Sequence, residues 1–177
     1  GMITELFDRY NVKATFFVIG KKAEQHPELL AEMDKRGHII ANHSYSHNNF
    51  IGFFSKKRLC ADIEKCTGII ERAIGKKPLF FRPPFGITNP RYADVLYKLR
   101  LISIGWTIRS FDTNAKHKDK FFKKITGSMT NGAIVLFHDT QQITIETLPD
   151  IIIYCRQNNI KIVSLPELIN QNPYKNV

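Results

Sequence analysis

Two histidines four residues apart are the residues of this sequence best suited to chemistry. His43 and His47 lie in the run Asn-His-Ser-Tyr-Ser-His, which directly follows the apolar residues 39–41. This spacing places two imidazoles on one side of a helical turn or a tight loop, within reach of one metal ion. No glutamate follows His43, which excludes the helical zinc-protease motif. A pair of surface histidines is the alternative, but Ser44 and Ser46 could support metal ligands through hydrogen bonds and favour a metal site.

Three more polar residues follow predicted strands. Arg82 precedes two prolines that fix a turn, so its guanidinium could orient a carboxylate or bind a substrate oxygen bidentately. His138 follows an apolar run, and because histidines in general titrate near neutral pH, it suits general acid or base work. Asp112 could accept a hydrogen bond from an imidazole and stabilise its protonated form. For each residue taken alone, a surface or turn-forming role is the alternative.

The elements that must position these residues alternate between short β-branched or aromatic runs and helical periods. Strand, helix, strand, helix throughout predicts an α/β fold with a parallel sheet, open or closed into a barrel. Because ligands bind beyond the carboxyl ends of parallel strands, polar residues at four strand ends are expected to converge on one rim. The predicted strands are Thr15–Ile19, His38–Ala41, Leu79–Arg82, Leu101–Trp106, Ala133–Phe137 and Ile160–Val163.

The helix ends are marked by capping residues. Ser55 is predicted to cap a long helix that Gly75 ends, and Asn89 with Pro90 starts another. The chain opens on a helix rather than a strand, so we expect its first strand to be missing. Helices are also predicted over residues 3–10, over residues 27–36 and in a short stretch after Ser164.

Length and composition predict one globular domain over residues 1–177. The hydrophobic fraction of 43% argues against disorder, and no apolar run approaches the roughly 20 residues that span a membrane. No signal peptide is visible, so we expect a cytoplasmic protein unless an export segment precedes Met2, which would place it in the cell envelope. Three cysteines without a Cys-x-x-Cys pair predict free thiols.

The net charge of +10, from 26 Lys and Arg against 16 Asp and Glu, could attract nucleic acid. However, the basic clusters fall mostly at predicted helix starts, turns and solvent faces, and no nucleic-acid motif with interleaved aromatics occurs. We therefore interpret the charge as solvated surface. Binding that is steep in salt and indifferent to glycans would favour the nucleic-acid alternative.

Taken together, the motifs resemble those of the polysaccharide deacetylases of the NodB-homology type, carbohydrate esterase family 4. The resemblance covers nearly the whole chain, and the order and spacing of the motifs make it specific. The motifs lie at Lys13–Gly20, Gly37–His47, Phe81–Gly86, Gly105–Thr113 and Ile134–Asp139.

This resemblance implies a distorted (β/α) barrel of the polysaccharide deacetylase type with its first strand missing. It implies hydrolysis of N-acetyl groups from the amino sugars of a polysaccharide or oligosaccharide, with release of acetate. A divalent metal, usually zinc, would be held by His43, His47 and one aspartate, and would polarise the acetyl carbonyl and the attacking water.

The resemblance also assigns roles to the other residues. His138 would be the general acid that protonates the leaving amine, Asp112 would tune that histidine, and Arg82 would orient the catalytic base. The substrate-binding positions would be Trp106, Leu136, Pro84 and Phe85.

The sequence departs from the family at its start. The family opens with a strand carrying Thr-Phe-Asp-Asp-Gly, whose first aspartate is the base and whose second is the third metal ligand. This sequence contains no such motif, and Asp8 lies in a predicted helix instead. Thr113 stands where many members have tryptophan. We therefore expect little or no deacetylase activity and a weakly bound or absent metal. We attribute the missing strand to a late start rather than to evolved loss, because Arg82, Asp112 and His138 are retained.

One alternative remains within the same fold. A pseudoenzyme could keep the groove as a carbohydrate-binding module without the chemistry. Unpaired strand edges beside the missing strand predict an open or distorted barrel, or self-association that covers the gap. The glycan is left open among peptidoglycan, chitin-like oligomers, and capsular or biofilm polymers.

Overall fold

The computed structural model describes residues 2–175 and shows an α/β fold whose named strands all pair in parallel, which confirms the predicted fold class. The chain folds as two compact units. The larger unit comprises Ala14–Gly105 and the residues from Leu165 onward, and the smaller comprises the residues up to Lys13 and Trp106–Ser164. A single domain over the whole chain stays a prediction.

The elements of both units are short. In chain order they are α1 (Met2–Arg9), β1 (Thr15–Val18), α2 (Gly20–Ala23), α3 (Pro27–Lys35), β2 (Ile39–Asn42), α4 (Lys56–Ile74), β3 (Phe80–Phe81), α5 (Pro90–Leu99), β4 (Ile102–Ser103), β5 (Ile108–Arg109), α6 (Lys118–Gly127), β6 (Val135–Leu136), α7 (Gln142–Gln157) and α8 (Leu165–Ile169), with 3-10 turns at Ile51–Phe53 and Pro84–Gly86.

The larger unit is built on a four-stranded parallel sheet in the order β1-β2-β3-β4. The register pairs Val18 with Asn42 and Asn42 with Phe81, so the carboxyl ends of the first three strands lie side by side. Ile40 and Phe80 are completely buried, as expected for strands covered on both faces. The sheet therefore presents whatever follows β1, β2 and β3 at one edge.

Helix α4 is the longest element and follows its sequence signals. Ser55 caps it by accepting a hydrogen bond from the backbone N–H of Arg58 at 3.3 Å, and Gly75 ends it in a left-handed conformation with φ of 68°. Its apolar stripe, which includes Ile63 and Cys66, is fully buried. Burial raises the pKa of the Cys66 thiol to about 12.

The smaller unit holds a two-stranded parallel sheet of β5 and β6, in which Ile108 pairs with Val135 and Arg109 with Leu136. Its core is formed by Ile108 together with apolar residues of α6 and α7 such as Ile125 and Ile151. This short sheet fixes the ends of two segments that carry polar residues, the turn after β5 and the loop after β6.

Two strand predictions were inaccurate. The prediction of a strand at Ile160–Val163 is wrong, because these residues pair with no strand; the N–H of Ile160 instead donates to the carbonyl oxygen of Cys155 at 2.8 Å. The predicted strand Leu101–Trp106 is reduced to β4, and β5 follows it as a separate strand that was not predicted. β-branched composition indicates where a strand could form, but only a neighbouring strand makes it one.

All three cysteines are free thiols, as predicted. Within residues 2–175, no helix combines the length and the apolar character needed to cross a membrane.

Gly20, at the start of α2, packs closely against Tyr45 in the loop that follows β2. A Cβ added there would lie 2.9–3.0 Å from atoms of Tyr45 and 3.0 Å from Cβ of Cys66. We expect Gly20→Ala to lower the free energy of unfolding by about 1–3 kcal/mol, because the Tyr45 backbone must shift. Urea unfolding would measure this. Gly127→Ala, whose added Cβ meets nothing within 4 Å, is the control, and equal stability of the two variants would contradict the prediction.

Candidate active-site residues

The histidine pair lies in a loop directly after β2. The imidazole rings of His43 and His47 have their centroids 4.9 Å apart. The Nδ1 atom of His43 lies 2.7 Å from the carbonyl oxygen of Arg82. Because a carbonyl oxygen only accepts, Nδ1 carries the proton, and in the neutral imidazole Nε2 is then the nitrogen that can act as a metal ligand.

The backbone of this loop adopts conformations that are rare for residues other than glycine. Ser44 and His47 have φ of 68° and 44°. Such residues persist only where their surroundings hold them. Here the N–H of His47 donates to the Ser44 hydroxyl at 3.1 Å, and the N–H groups of Gly20 and Lys21 donate to the carbonyl oxygens of Ser44 and Tyr45. Local hydrogen bonds thus fix the backbone of the pair.

Two polar side chains, one from the end of β2 and one from α4, connect the same loop to helix α4. The amide of Asn42 is completely buried, donates to the carbonyl oxygen of Ile63 and to Thr67, both at 2.9 Å, and accepts the N–H of Ser44 at 2.8 Å. Asp62 accepts the N–H of Tyr45 at 2.8 Å and that of the next residue at 3.3 Å. The position of the histidines therefore depends on that of α4.

Asp62 and Asn42 were not singled out from the sequence. Their only signal is a polar residue on the flank of an amphipathic helix and one at the end of a buried strand. Of the two serines that were singled out, Ser44 does support the loop. The hydroxyl of Ser46 is buried and makes no hydrogen bond.

The loop supplies two potential metal ligands, the imidazoles of His43 and His47. Both imidazoles lie on one side of a tight loop, and His43 is held in the ligating tautomer. Within residues 2–175, no group of three or more His, Cys, Asp and Glu side chains is placed to hold a metal ion. The described residues thus supply two ligands, whereas catalytic zinc sites ordinarily take three from the protein.

Arg82 lies at the end of β3 in the same unit. Its guanidinium donates to the carbonyl oxygen of Ile104 at 3.2 Å and to that of Gly105 at 2.9 Å, and it stacks on the ring of Phe17 at 4.0 Å. Burial lowers the pKa of Arg82 to about 10, so the group stays charged at neutral pH. Orientation of a catalytic carboxylate by Arg82 stays a prediction.

The turn after Arg82 places an aromatic ring against the histidines. Pro84 is buried, while Phe85 has φ of 58° and is 49% exposed. The centroid of the Phe85 ring lies 4.6 Å from that of His47. The predicted substrate-binding role of these two residues is untested.

In the smaller unit, the buried side chain of Asp112 pairs with the partly exposed side chain of His138. The Nδ1 atom of His138 lies 2.7 Å from Oδ1 of Asp112, and the backbone N–H of His138 donates to Oδ2 at 2.6 Å. The Asp112 side chain is fully buried, whereas that of His138 is 48% exposed. The carboxylate thus fixes one ring nitrogen and leaves an accessible imidazole whose Nε2 is not used by this contact.

Thr144 completes the surroundings of the carboxylate. Its hydroxyl, at the start of α7, is buried and donates to Oδ2 of Asp112 at 2.8 Å. Burial by itself raises the pKa of Asp112, but donation from the N–H and the imidazole of His138 and from Thr144 outweighs it, so the pKa lies below its ordinary value of 3.8. Sequence reasoning missed Thr144, since nothing in the run Ile-Thr-Ile marks it.

The other two predicted substrate positions lie in or beside the short sheet of the smaller unit. Leu136 ends β6 and is half-buried, and Trp106 is half-buried where the chain enters the unit. In total, His43, His47 and Arg82 lie together in the larger unit, and Asp112 and His138 lie together in the smaller.

Sequence comparison relates the chain to polysaccharide deacetylases. The sequence model of polysaccharide deacetylases matches residues 2–102, more than half of the chain. The chain is 28% identical over 170 residues to a peptidoglycan-N-acetylglucosamine deacetylase of Bacillus cereus, and the match covers 94% of this chain and 62% of that protein. It is 28% identical over 169 residues to the corresponding Listeria monocytogenes enzyme, covering 96% and 35%. The chain thus spans between a third and two thirds of these relatives' length.

Solved structures show the same fold. A peptidoglycan N-acetylglucosamine deacetylase superposes with a TM-score of 0.93 at 26% identity, covering 98% of this chain and 83% of that one. A CE4 family pseudoenzyme from Bacillus anthracis superposes with a TM-score of 0.89 at 25% identity, covering 98% and 62%. The fold is therefore of the type shared by these deacetylases and the pseudoenzyme.

The depressed pKa of Asp112 predicts a pH-dependent contribution to stability. This contribution is fully present above the unfolded pKa of about 3.9 and is lost as pH falls through the lower folded value. We expect Asp112→Asn to lower the free energy of unfolding by about 1–3 kcal/mol at pH 6, because its amide N–H₂ would face an N–H or O–H donor. The difference from the unsubstituted protein should shrink below about pH 4.

Urea unfolding between pH 3 and pH 7 measures this difference. Asp139→Asn, which alters an exposed aspartate nearby, is the control and should change stability little at any pH. A cost of Asp112→Asn that grows on acidification would contradict the assigned direction of the shift.

Proposed function

The chain belongs to the polysaccharide deacetylase family, and we propose that it is a metal-dependent hydrolase that removes N-acetyl groups from the amino sugars of a polysaccharide. The observation that carries the proposal is the imidazole of His138, held at Nδ1 by the buried carboxylate of Asp112 while its side chain remains 48% exposed. A ring fixed at one nitrogen and accessible at the other is arranged to transfer a proton.

The proton on Nε2 of His138 has a defined destination in amide hydrolysis. Water adds to the acetyl carbonyl, the C–N bond breaks, and the water oxygen leaves in acetate. The amine is a poor leaving group unless its nitrogen is protonated, and the His138 imidazolium supplies that proton. Asp112 stabilises the imidazolium and fixes the orientation of the ring, while Thr144 and the backbone N–H of His138 keep Asp112 ionised.

His43 and His47 are the proposed metal ligands in this chain. Polysaccharide deacetylases are metal-dependent in general, and two imidazoles on one loop suit zinc, with His43 held through Nδ1. When bound, the ion would act as a Lewis acid on the acetyl group and the attacking water. The backbone carbonyl oxygen of Arg82 holds the ring of His43 and so orients this proposed ligand.

The proposed substrate is an N-acetylglucosamine polymer of the peptidoglycan type, since the names of the Bacillus and Listeria relatives point to that glycan. Trp106, Leu136, Pro84 and Phe85 would line the substrate and acetyl-binding surfaces. Arg82 would orient the catalytic base of the family.

A second candidate function is binding of glycans without catalysis. It is favoured by the donor set, because residues 2–175 bring together two metal ligands and no cluster of three. One structure of the same fold is that of a pseudoenzyme. Metal binding and acetate release separate the two functions.

The histidine pair should determine zinc affinity. We expect His43→Ala and His47→Ala each to weaken zinc binding by about tenfold or more, since each removes one of two nitrogen ligands. Competition against a chromophoric chelator at pH 7.5 would measure the affinity. His26→Ala, which removes an exposed histidine paired with Glu28, is the matched control. Equal affinity in all three variants would exclude the pair as the metal site.

Acetate release from N-acetylglucosamine oligomers in saturating zinc tests catalysis. We expect weak release from the 177-residue chain, whose sequence contains no Thr-Phe-Asp-Asp-Gly. Release should rise when a segment with that motif is added ahead of Met2. In the extended protein, His138→Ala should lower turnover by about 10²–10⁴-fold through loss of the general acid.

The control for His138 is His117→Ala, which removes an exposed histidine of the same unit. Turnover that does not depend on His138 would refute the proposed acid. An extended protein that binds oligomers and zinc yet releases no acetate would favour the pseudoenzyme.

A further inference from the structure

Two phenylalanines protrude from the turn that follows the histidine pair. Phe50 is 70% exposed and Phe53 is 78% exposed, the largest values for any phenylalanine within residues 2–175. They lie three and six residues after His47. Neighbouring exposed aromatic rings on a folded surface commonly mark a binding site rather than chance exposure.

The turn that carries these rings is held rigidly. Ile51 is 1% exposed and Phe54 is 6% exposed, and both pack into the core beside α4 and α5. The side chain of Asn89 donates to the carbonyl oxygen of Gly52 at 3.0 Å, and Arg91 donates to the two carbonyl oxygens that follow, at 3.2 Å each. The backbone of the turn is thus anchored at residues 51–54, and the rings of Phe50 and Phe53 are presented to solvent from it.

An apolar surface joins this turn to the histidine pair. A Cβ added at Gly52 would lie 3.1 Å from Cγ2 of Ile87, which is 36% exposed. Ile87 follows the turn that carries Phe85, and the Phe85 ring lies 4.6 Å from that of His47. We call Phe50, Phe53, Phe85 and Ile87 the aromatic platform.

We propose that the aromatic platform is a glycan subsite, which binds the apolar faces of sugar rings adjacent to the residue that reacts at the histidine pair. This inference rests on the proposed function. The C–H groups on one face of a pyranose carry partial positive charge and pack against the negative face of an aromatic ring. Because the backbone of the turn is already anchored, it loses little conformational entropy when a sugar binds. Long oligomers should therefore bind more tightly than short ones.

Three cations close in sequence or contact to the turn argue for a glycan over an anionic membrane. Lys56 forms an ion pair with Asp94, Arg58 stacks on the ring of Phe54 at 3.7 Å, and Arg91 donates to backbone carbonyl oxygens of the turn. Binding to anionic lipid needs basic side chains available at the surface. Here three of them are engaged in internal contacts, so the exposed feature is aromatic rather than cationic.

Isothermal titration of the 177-residue chain with N-acetylglucosamine dimer and hexamer tests the proposal. We expect the hexamer to bind about tenfold more tightly than the dimer, and the double variant F50A/F53A to lose that preference, because burial of one phenylalanine face is worth about 1.4 kcal/mol or more. Both side chains are exposed, so the variant should keep the parent urea unfolding midpoint. The matched control is Tyr97→Ala, which removes an aromatic residue 87% exposed on α5.

The outcomes separate this proposal from the proposed function. A chain-length preference lost in F50A/F53A and retained in Tyr97→Ala supports the platform even where no acetate is released. A preference that survives F50A/F53A, or absence of hexamer binding in the parent chain, overturns it whatever the activity. Binding to phosphatidylglycerol vesicles that depends on Phe50 and Phe53, with glycan binding unaffected, also overturns it and assigns the rings to a membrane.

Discussion

A single buried amide ties the histidine loop to the rest of the fold. Asn42 ends β2 with no exposed surface, and its side chain must therefore satisfy its donors and its acceptor inside the protein. It does so with Ile63 and Thr67 of α4 on one side and with the N–H of Ser44 on the other. Strand, helix and loop consequently cannot move independently. This connection and the hydrogen bonds from Gly20 and Lys21 together hold the left-handed backbone at Ser44 and His47.

The acceptor of each Nδ1 proton distinguishes the two candidate roles of histidine. His43 donates to a neutral carbonyl oxygen, which fixes the ring but adds no charge that would favour protonation of Nε2. His138 faces the carboxylate of Asp112 instead. Either acceptor fixes the orientation of an imidazole, and either can support a metal ligand. The carboxylate has in addition a negative charge next to the ring, which suits the proton transfer proposed for His138.

Local features of the fold could be predicted from the sequence, whereas contacts between distant segments could not. The cap at Ser55, the stop at Gly75 and the apolar stripe of α4 are encoded within a few residues and agree with the structure. The strand predicted at Ile160–Val163 failed because a strand requires a neighbouring strand, and none of the strands within residues 2–175 pairs with this segment. Composition does not specify such a partner.

The candidate site shows the same difference between local features and contacts of distant segments. The motif residues were recognisable by type and order; chemistry suggested that Asp112 could bond an imidazole, and the family resemblance pointed to His138 as its partner. Asp62 and Thr144 were not, because each acts on a residue 16 to 32 positions away. Supporting residues of this kind carry no local pattern. They become visible only when the chain has brought their partners together.

Cys66, which is buried beneath Gly20, is a chemical probe of local opening in the larger unit. Its sulfur lies 3.5 Å from the carbonyl oxygen of Val18, and its thiol stays protonated at physiological pH because burial raises its pKa to about 12. Only the thiolate reacts with alkylating or oxidising reagents. A reagent can therefore modify this cysteine only after α4 has separated from β1. The rate of modification then measures how often the scaffold that holds the histidines opens.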